Sequence, residues 1–289
     1  PAGLHAGPTG NGIQRIATNP VHGSVMSAKE KPPILADKHY TSASAFTPES
    51  LLREARRQLG TSGEAVPAVC LLDPDGDVVR RLRGEDRARR HAGWSCYHTE
   101  LYTFEHEGLE LGVVGCAVGA PFAVLVAEEL FASGCRHLLS VTSAGQLADV
   151  ADPPYFVLIE KAVRDEGTSY HYLPPDRAST ATDETLARLD NAFTGAGVEV
   201  IRGSAWTTDA PFRETPEAID AMRGRGHLAV EMEAAALYAF AQARERSVAC
   251  FAHVTNRMGT VEGDFEKGEA DGVAATLRVV AHAGKALLR

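Results

Sequence analysis

Residues 230–237, Val-Glu-Met-Glu-Ala-Ala-Ala-Leu, set two carboxylates two positions apart inside a stretch otherwise built for burial. An ionised carboxylate out of water is costly unless it is paired or hydrogen-bonded, so any fold of this chain must bring partners to Glu231 and Glu233. The preceding Leu228, Ala229 and Val230 read as the end of a buried strand, and Ala234 to Ala243 are strong helix formers. The acids therefore stand at a strand-to-helix joint. In open α/β sheets, ligands bind there, outside the carboxyl ends of the strands. If strand geometry holds through Glu233, alternation puts Glu231 and Glu233 on one face and Met232 on the other, and two acceptors on one face suit a vicinal diol. A plainer reading fits the same residues: Glu233 favours the positive end of the helix dipole and Glu231 is solvated.

The rest of the chain repeats the strand-then-helix order. Helices are expected over Pro48 to Leu59, Asp77 to His91, Phe122 to Phe131 with Gly134 as its stop, Glu184 to Thr194, Pro216 to Arg223, Glu233 to Glu245 and Gly268 to Leu288. Strands are expected over Val66 to Leu72, Leu109 to Cys116, His137 to Val141, Tyr155 to Val163, Val198 to Trp206, His227 to Val230 and Val248 to Val254, after a short extended segment at Ile34. Alternation of this kind predicts a single-domain, three-layer α/β/α fold with a mixed, mostly parallel central sheet. The Gly-, Pro- and Ser-rich residues 1–31 read as a flexible tail, with Met26 as the natural start, and residues 32–289 as the domain.

Acidic side chains outnumber Lys and Arg 38 to 29, a net charge of −9, which argues against nucleic acid as partner and for a small solute. The five cysteines lack CxxC spacing and read as reduced core thiols. No run of about 20 apolar residues is present to span a membrane, and the N-terminus lacks the charged-then-apolar pattern of a secretory signal. A cytoplasmic protein is expected. The histidines show no metal-ligand spacing, so no metal site is expected.

Four ordered segments carry a resemblance. The run Val230 to Leu237 resembles the ribose-binding signature of the nucleoside phosphorylase and uridine phosphorylase family. Arg164-Asp165-Glu166-Gly167-Thr168-Ser169-Tyr170-His171-Tyr172-Leu173-Pro174-Pro175 and Trp206-Thr207-Thr208-Asp209-Ala210-Pro211-Phe212-Arg213-Glu214-Thr215 resemble segments of uridine-phosphorylase-like proteins, and Gly115 to Gly145 has the outline of their phosphate-side βαβ unit. The match runs from about Ile34 to the C-terminus. It implies a pentosyltransferase that cleaves the N-glycosidic bond of a nucleoside to free base and ribose 1-phosphate. It implies no cofactor, inorganic phosphate as co-substrate, and a homo-oligomer with active sites shared across a subunit contact.

By that resemblance Glu231 and Glu233 hold the sugar hydroxyls with Met232 packed on the sugar, and Asn256 joins them as a catalytic residue. Asp209, Phe212 and Arg213 form a base-side loop, in which Phe212 stacks on the base and Arg213 bonds its carbonyl oxygens, with Arg257 beside them. His171 acts in the site, across a subunit contact, or as a structural hydrogen-bonder. Ser143, Ala144 and Gly145 form a loop that touches phosphate and nucleoside, and Gly119, Ser140 and Ser143 are the phosphate candidates. Asn256-Arg257 stands where purine-specific relatives carry an Asp, which leans the reading to pyrimidines.

The chain departs from the family where phosphate is concerned. Ser140 occupies the position of a phosphate-binding Arg. The Gly-Asp-Pro-then-Arg motif is replaced by Leu72-Asp73-Pro74-Asp75-Gly76, and Tyr97 stands where a neighbouring subunit's Arg is usual. Arg80, Arg81 and Arg83 are the nearby cations available to substitute. Two other readings therefore stay open: a phosphate-independent nucleosidase, and a non-catalytic nucleoside-binding or storage protein.

Overall fold

A helix that is apolar on every side must be covered on every side, and residues 234–241 are all buried. The computed structural model of the chain describes residues 31–258, 267 and 272–289. Of the expected tail over residues 1–31, residues 1–30, with the Met26 start, lie outside the described residues, as do residues 268–271 of the expected last helix. In chain order the elements are a 3-10 turn Pro33–Leu35, α1 (Pro48–Leu59), β1 (Val69–Asp73), α2 (Asp77–Gly84), β2 (Arg89–Arg90), β3 (Leu101–His106), β4 (Leu109–Gly115), α3 (Ala120–Ala132), β5 (His137–Gln146), β6 (Tyr155–Asp165), a 3-10 turn Ser169–His171, β7 (Ala178–Thr180), α4 (Asp183–Leu189), β8 (Val200–Thr208), a 3-10 turn Pro211–Arg213, α5 (Pro216–Arg223), β9 (Ala229–Glu231), α6 (Ala234–Arg244), β10 (Ser247–Asn256) and α7 (Val273–Leu287).

Among the described residues the ten strands form one mixed sheet. From its edge it runs β2, β3, β4, β1, β5. Beyond β5 it continues through β9, β8, β6 and β10, and β10 pairs back onto β5, so that part of the sheet closes into a five-stranded ring. Side chains alternate across β5: Leu138 and Ala144 join the core beneath α3 and α6, and Leu139 and Val141 join the core beneath α2, α4 and α7. These are the two outer layers of the expected three-layer fold.

The registers gather the strand ends. Asp73 pairs with Gly115, Gly145 with both Val230 and Asn256, and Thr207 with Glu231. The ends of β1, β4, β5, β8, β9 and β10 therefore lie together.

Several local expectations are corrected. The charged helix after Asp77 stops at Gly84 instead of reaching His91. Asp86 takes a left-handed φ of 53°, and the Arg87 N–H donates back to the Leu82 carbonyl at 2.9 Å, which closes a Schellman motif with an Asp in place of the usual Gly. The turn Glu107-Gly108, positive in φ at both residues, folds β3 back on β4, a hairpin the sequence reading left out. In that hairpin and the segment just before it Trp94, Tyr102 and Phe104 are buried by the chain itself, and Tyr97 stays 43% exposed. Ile34 lies in a 3-10 turn and not an extended segment. Cys116 is exposed, unlike the other four thiols, which are buried and free.

Candidate active site

Glu231 ends β9 and is 3% exposed. Its Oε2 accepts the backbone N–H groups of Glu233 and Ala234, both at 2.7 Å, and its Oε1 accepts the Thr207 hydroxyl. Thr207 in turn accepts the Ala235 N–H at 3.0 Å. The first N–H groups of α6 have no helical partner of their own, and this carboxylate satisfies them. Glu231 is thus not solvated: both of its oxygens are engaged by protein donors.

Strand geometry ends at Glu231, so the simple alternation expected through Glu233 does not hold. Glu233 stands at the N-cap of α6 with φ −131° and ψ −39°, 1% exposed, and Met232 between the two acids is half-buried. Glu233 Oε1 accepts the Gly119 N–H at 2.7 Å, and its Oε2 is buried without a hydrogen-bond partner. Burial, then the neighbouring Glu231 charge, push this carboxyl up to about 8, against the Gly119 N–H and the nearby Thr142 hydroxyl, which lower it. Gly119 presents its N–H from φ 88° and ψ 147°, a backbone region open essentially to glycine alone. The loop Gly115 to Gly119 is therefore a carboxylate holder. Its first expected role, as a phosphate candidate, falls on an N–H already occupied by Glu233.

Ser143 lies near the end of β5, and its N–H and hydroxyl both donate to Asp75, at 2.9 Å each. Ser140 sits in mid-strand at 1% exposure, registered with Leu72 and Cys250, and its hydroxyl has no partner. The arginines expected to supply charge are directed elsewhere. Arg80 bonds Asp77 and the Asp75 carbonyl, Arg81 pairs with Glu85, and Arg83 lies 4.9 Å over the Tyr102 ring.

A second group of residues surrounds the end of β10. Asn256 accepts the Met258 N–H at 2.9 Å and donates to the Ala144 carbonyl at 3.4 Å, so it ties Ala144 to the following loop. Met258 Sδ lies over Gly145, where a Cβ would be 2.1 Å away. Beyond Met258 opens a cavity of about 650 Å³ lined by Gln146, Leu147, Glu214, Ile219, Arg223 and Arg257 among others. Arg257 pairs with Asp152 at 2.6 Å. Glu214, which the sequence reading left without a role, is half-buried there, and burial pushes its carboxyl up to about 7.

Other expected residues lie on the surface or bond elsewhere. Phe212 is 99% exposed and Arg213 is exposed, on the 3-10 turn directly before Glu214 of the cavity. Asp209 holds the Gly167 N–H at 2.8 Å, and His171 is exposed with Nδ1 3.1 Å from Lys38 Nζ. Asp75 and Thr207 complete the carboxylate cluster without having been foreseen. Their signal was weak: a polar side chain at the end of an apolar strand.

The two acids have separable roles that mutation distinguishes. Glu231→Gln turns an amide NH2 toward donors and should cost about 1–3 kcal/mol, read as a lower Tm. Glu233 keeps a proton in the folded chain that the unfolded chain has released. Its contribution to stability is complete below its ordinary value of 4.5 and is lost as pH rises through about 8. Asp73, pushed up to about 6 by burial, and Glu214 act in the same direction. The wild type should therefore melt lower at about pH 9 than at about pH 5, and Glu233→Gln should reduce that difference. Equal pH slopes for wild type and Glu233→Gln would show that Glu233 titrates normally.

Comparison with known proteins agrees with this architecture. A family model described as the phosphorylase superfamily matches residues 68–288. A DeoD-type purine nucleoside phosphorylase of Psychromonas ingrahamii is 26% identical over 163 residues, 56% of this chain and 69% of that protein. A uridine phosphorylase of Thermococcus kodakarensis is 28% identical over 220 residues, 71% of this chain and 79% of that protein. Among solved structures, uridine phosphorylase from Vibrio fischeri superposes with a TM-score of 0.66 at 21% identity, over 79% of this chain and 93% of that one. Purine nucleoside phosphorylase from Toxoplasma gondii, in complex with immucillin-H, superposes with a TM-score of 0.65 at 18% identity, over 78% and 92%. At those identities the two structures establish the fold. The chain belongs to the phosphorylase superfamily and is a nucleoside-phosphorylase-like enzyme.

Proposed function

We propose that the protein cleaves the bond between nucleobase and ribose of a nucleoside, with Glu233 as the group that holds the sugar. One observation carries this reading: Glu233 Oε2 is a buried carboxylate oxygen with no partner, beside an Oε1 fixed by Gly119. A buried oxygen left bare is costly, and a sugar hydroxyl donating to it removes that cost. Donation favours the ionised carboxylate, so sugar binding lowers the Glu233 pKa from about 8. The charge so formed lies next to the sugar carbon that turns positive as the bond to the base breaks. It therefore stabilises the oxocarbenium-like transition state more than the ground state. Glu231 acts through Glu233, by fixing the first turn of α6.

The base lies toward Asn256 and the cavity lined by Arg257. With an amide at 256 the preference leans to pyrimidines. Glu214 in the same cavity carries a proton near neutrality and is able to give it to a leaving base, which keeps purines in the test. The enzyme is cytoplasmic and self-associates into at least a dimer. Supporting the latter, Phe46, Tyr97, Val118 and Leu125 are apolar side chains 71%, 43%, 51% and 38% exposed, and Val118 lies on the loop that holds Glu233.

A panel of pyrimidine and purine nucleosides, assayed for free base with and without phosphate, tests the proposal. Glu233→Gln should lower kcat/KM by about tenfold to a hundredfold, the equivalent of roughly 1.5–3 kcal/mol for a hydrogen bond to a charged group. Unchanged kinetics would remove Glu233 from the site. Calorimetric binding without release of any base would leave the non-catalytic reading in place. Light scattering at micromolar concentration should give a mass of at least twice 30.8 kDa, and a value near 30.8 kDa would contradict self-association.

A further inference from the structure

We infer that Asp75 is an internal oxyanion seated where an external one would bind, so that this site delivers water, and not inorganic phosphate, to the sugar. The inference rests on the proposed role of Glu233 as the sugar-binding group. Ser143 presents a backbone N–H and a hydroxyl side by side. The N–H donates to Asp75 Oδ2 at 2.9 Å and the hydroxyl to Oδ1 at 2.9 Å, one donor on each oxygen of a single carboxylate. Paired donors of this kind are a general means of holding a phosphate or carboxylate, and here the chain supplies its own anion.

The fold builds this contact. β1 and β5 run parallel with Leu72 opposite Ser140, so the loop after β1 meets the end of β5. Lys267 Nζ braces Asp75 at 3.3 Å and Asp77 at 2.5 Å. The space left among Asp73, Asp75, Asp77, Ser143, His253 and Lys267 is about 20 Å³. That admits a single water and no tetrahedral anion. A phosphate taking the Ser143 donors would also displace Asp75 and leave its charge beside those of Asp73 and Asp77, with Lys267 as the nearby cation and Arg80 turned to Asp77. The seat lies near the sugar group by the strand pairing: Ser143 stands two residues before Gly145 on β5, and Gly145 pairs with Val230 of β9, just ahead of the two acids.

With water as acceptor, its oxygen bonds to C1′ as the bond from C1′ to the base nitrogen breaks. The electron pair of that bond leaves with the base, which takes a proton from solvent. The proton lost by water passes to the Asp75 carboxylate and on to solvent, and the products are free base and free sugar.

The test uses the full chain as wild type, Asp75→Asn and Asp75→Gly. Inorganic phosphate is titrated by calorimetry, and the sugar product is identified by phosphorus NMR with phosphate present. Wild type should bind phosphate with a Kd above about 10 mM and release unphosphorylated sugar at the same rate with or without phosphate. Asp75→Gly, which empties the seat, should bind phosphate at least tenfold more tightly, and Asp75→Asn, which keeps the side chain's size and loses its charge, should fall between. Micromolar phosphate binding by wild type, ribose 1-phosphate as its product, or no tightening in either variant would overturn the inference. Where Asp75→Gly fails to fold, Asp75→Asn decides by the same criterion. Absence of turnover on every nucleoside would sink the proposed function and the delivery of water with it, while the phosphate titration, which requires no nucleoside, separately decides whether Asp75 fills the anion seat.

Discussion

The site depends on how two carboxylates share one helix N-terminus. The first turn of α6 offers its N–H groups to Glu231, which the Thr207 hydroxyl also meets, so this acid is fully satisfied. The N–H groups of Glu233, Ala234 and Ala235 go to Glu231 and Thr207, not to the Glu233 carboxyl. It takes a single N–H from a different loop, at Gly119, and keeps one oxygen bare. Engaging both oxygens of one acid is what leaves the other with a bare oxygen. The like charge beside it, added to burial, holds Glu233 protonated near neutrality until a donor arrives.

That arrangement needs several chain segments held to within hydrogen-bond tolerance, and the closed part of the sheet provides it. β5 is the common member, paired to β1, β9 and β10. Through it the loop after β1 reaches Ser143, Asn256 reaches Ala144, and Val230 lies opposite Gly145, next to the acids. A ring of strands has no free edge along which the register might slip, so these contacts are fixed by the same hydrogen bonds that hold the core.

Much of the fold was readable from local chemistry. α1 and α5 have the boundaries expected of them, because a Thr precedes a Pro at both starts and each Thr caps its helix. α2 ran too long in the sequence reading since its left-handed terminator is Asp86, where a Gly would have been recognised. β3 was passed over because its turn, Glu107-Gly108, lacks the usual Asn or Asp. In the site, the burial of Glu231 and Glu233 was readable and their division of labour was not. That division depends on where particular N–H groups point. The contact between Asp75 and Ser143 joins residues 68 positions apart, and no local pattern announces it. Phe212 shows the converse: its type suggests base stacking, and the chain leaves it 99% exposed.

The central claim is that Glu233 carries a bare, protonated oxygen which the sugar of a nucleoside completes. Titrating the Glu233 carboxyl by carbon-13 NMR, free and saturated with a cleaved or tightly bound nucleoside, measures this directly. The account predicts a midpoint near 8 in the free protein, displaced downward when the nucleoside is bound. A free midpoint in the ordinary carboxylate range, or one that saturation with nucleoside leaves unmoved, would contradict it.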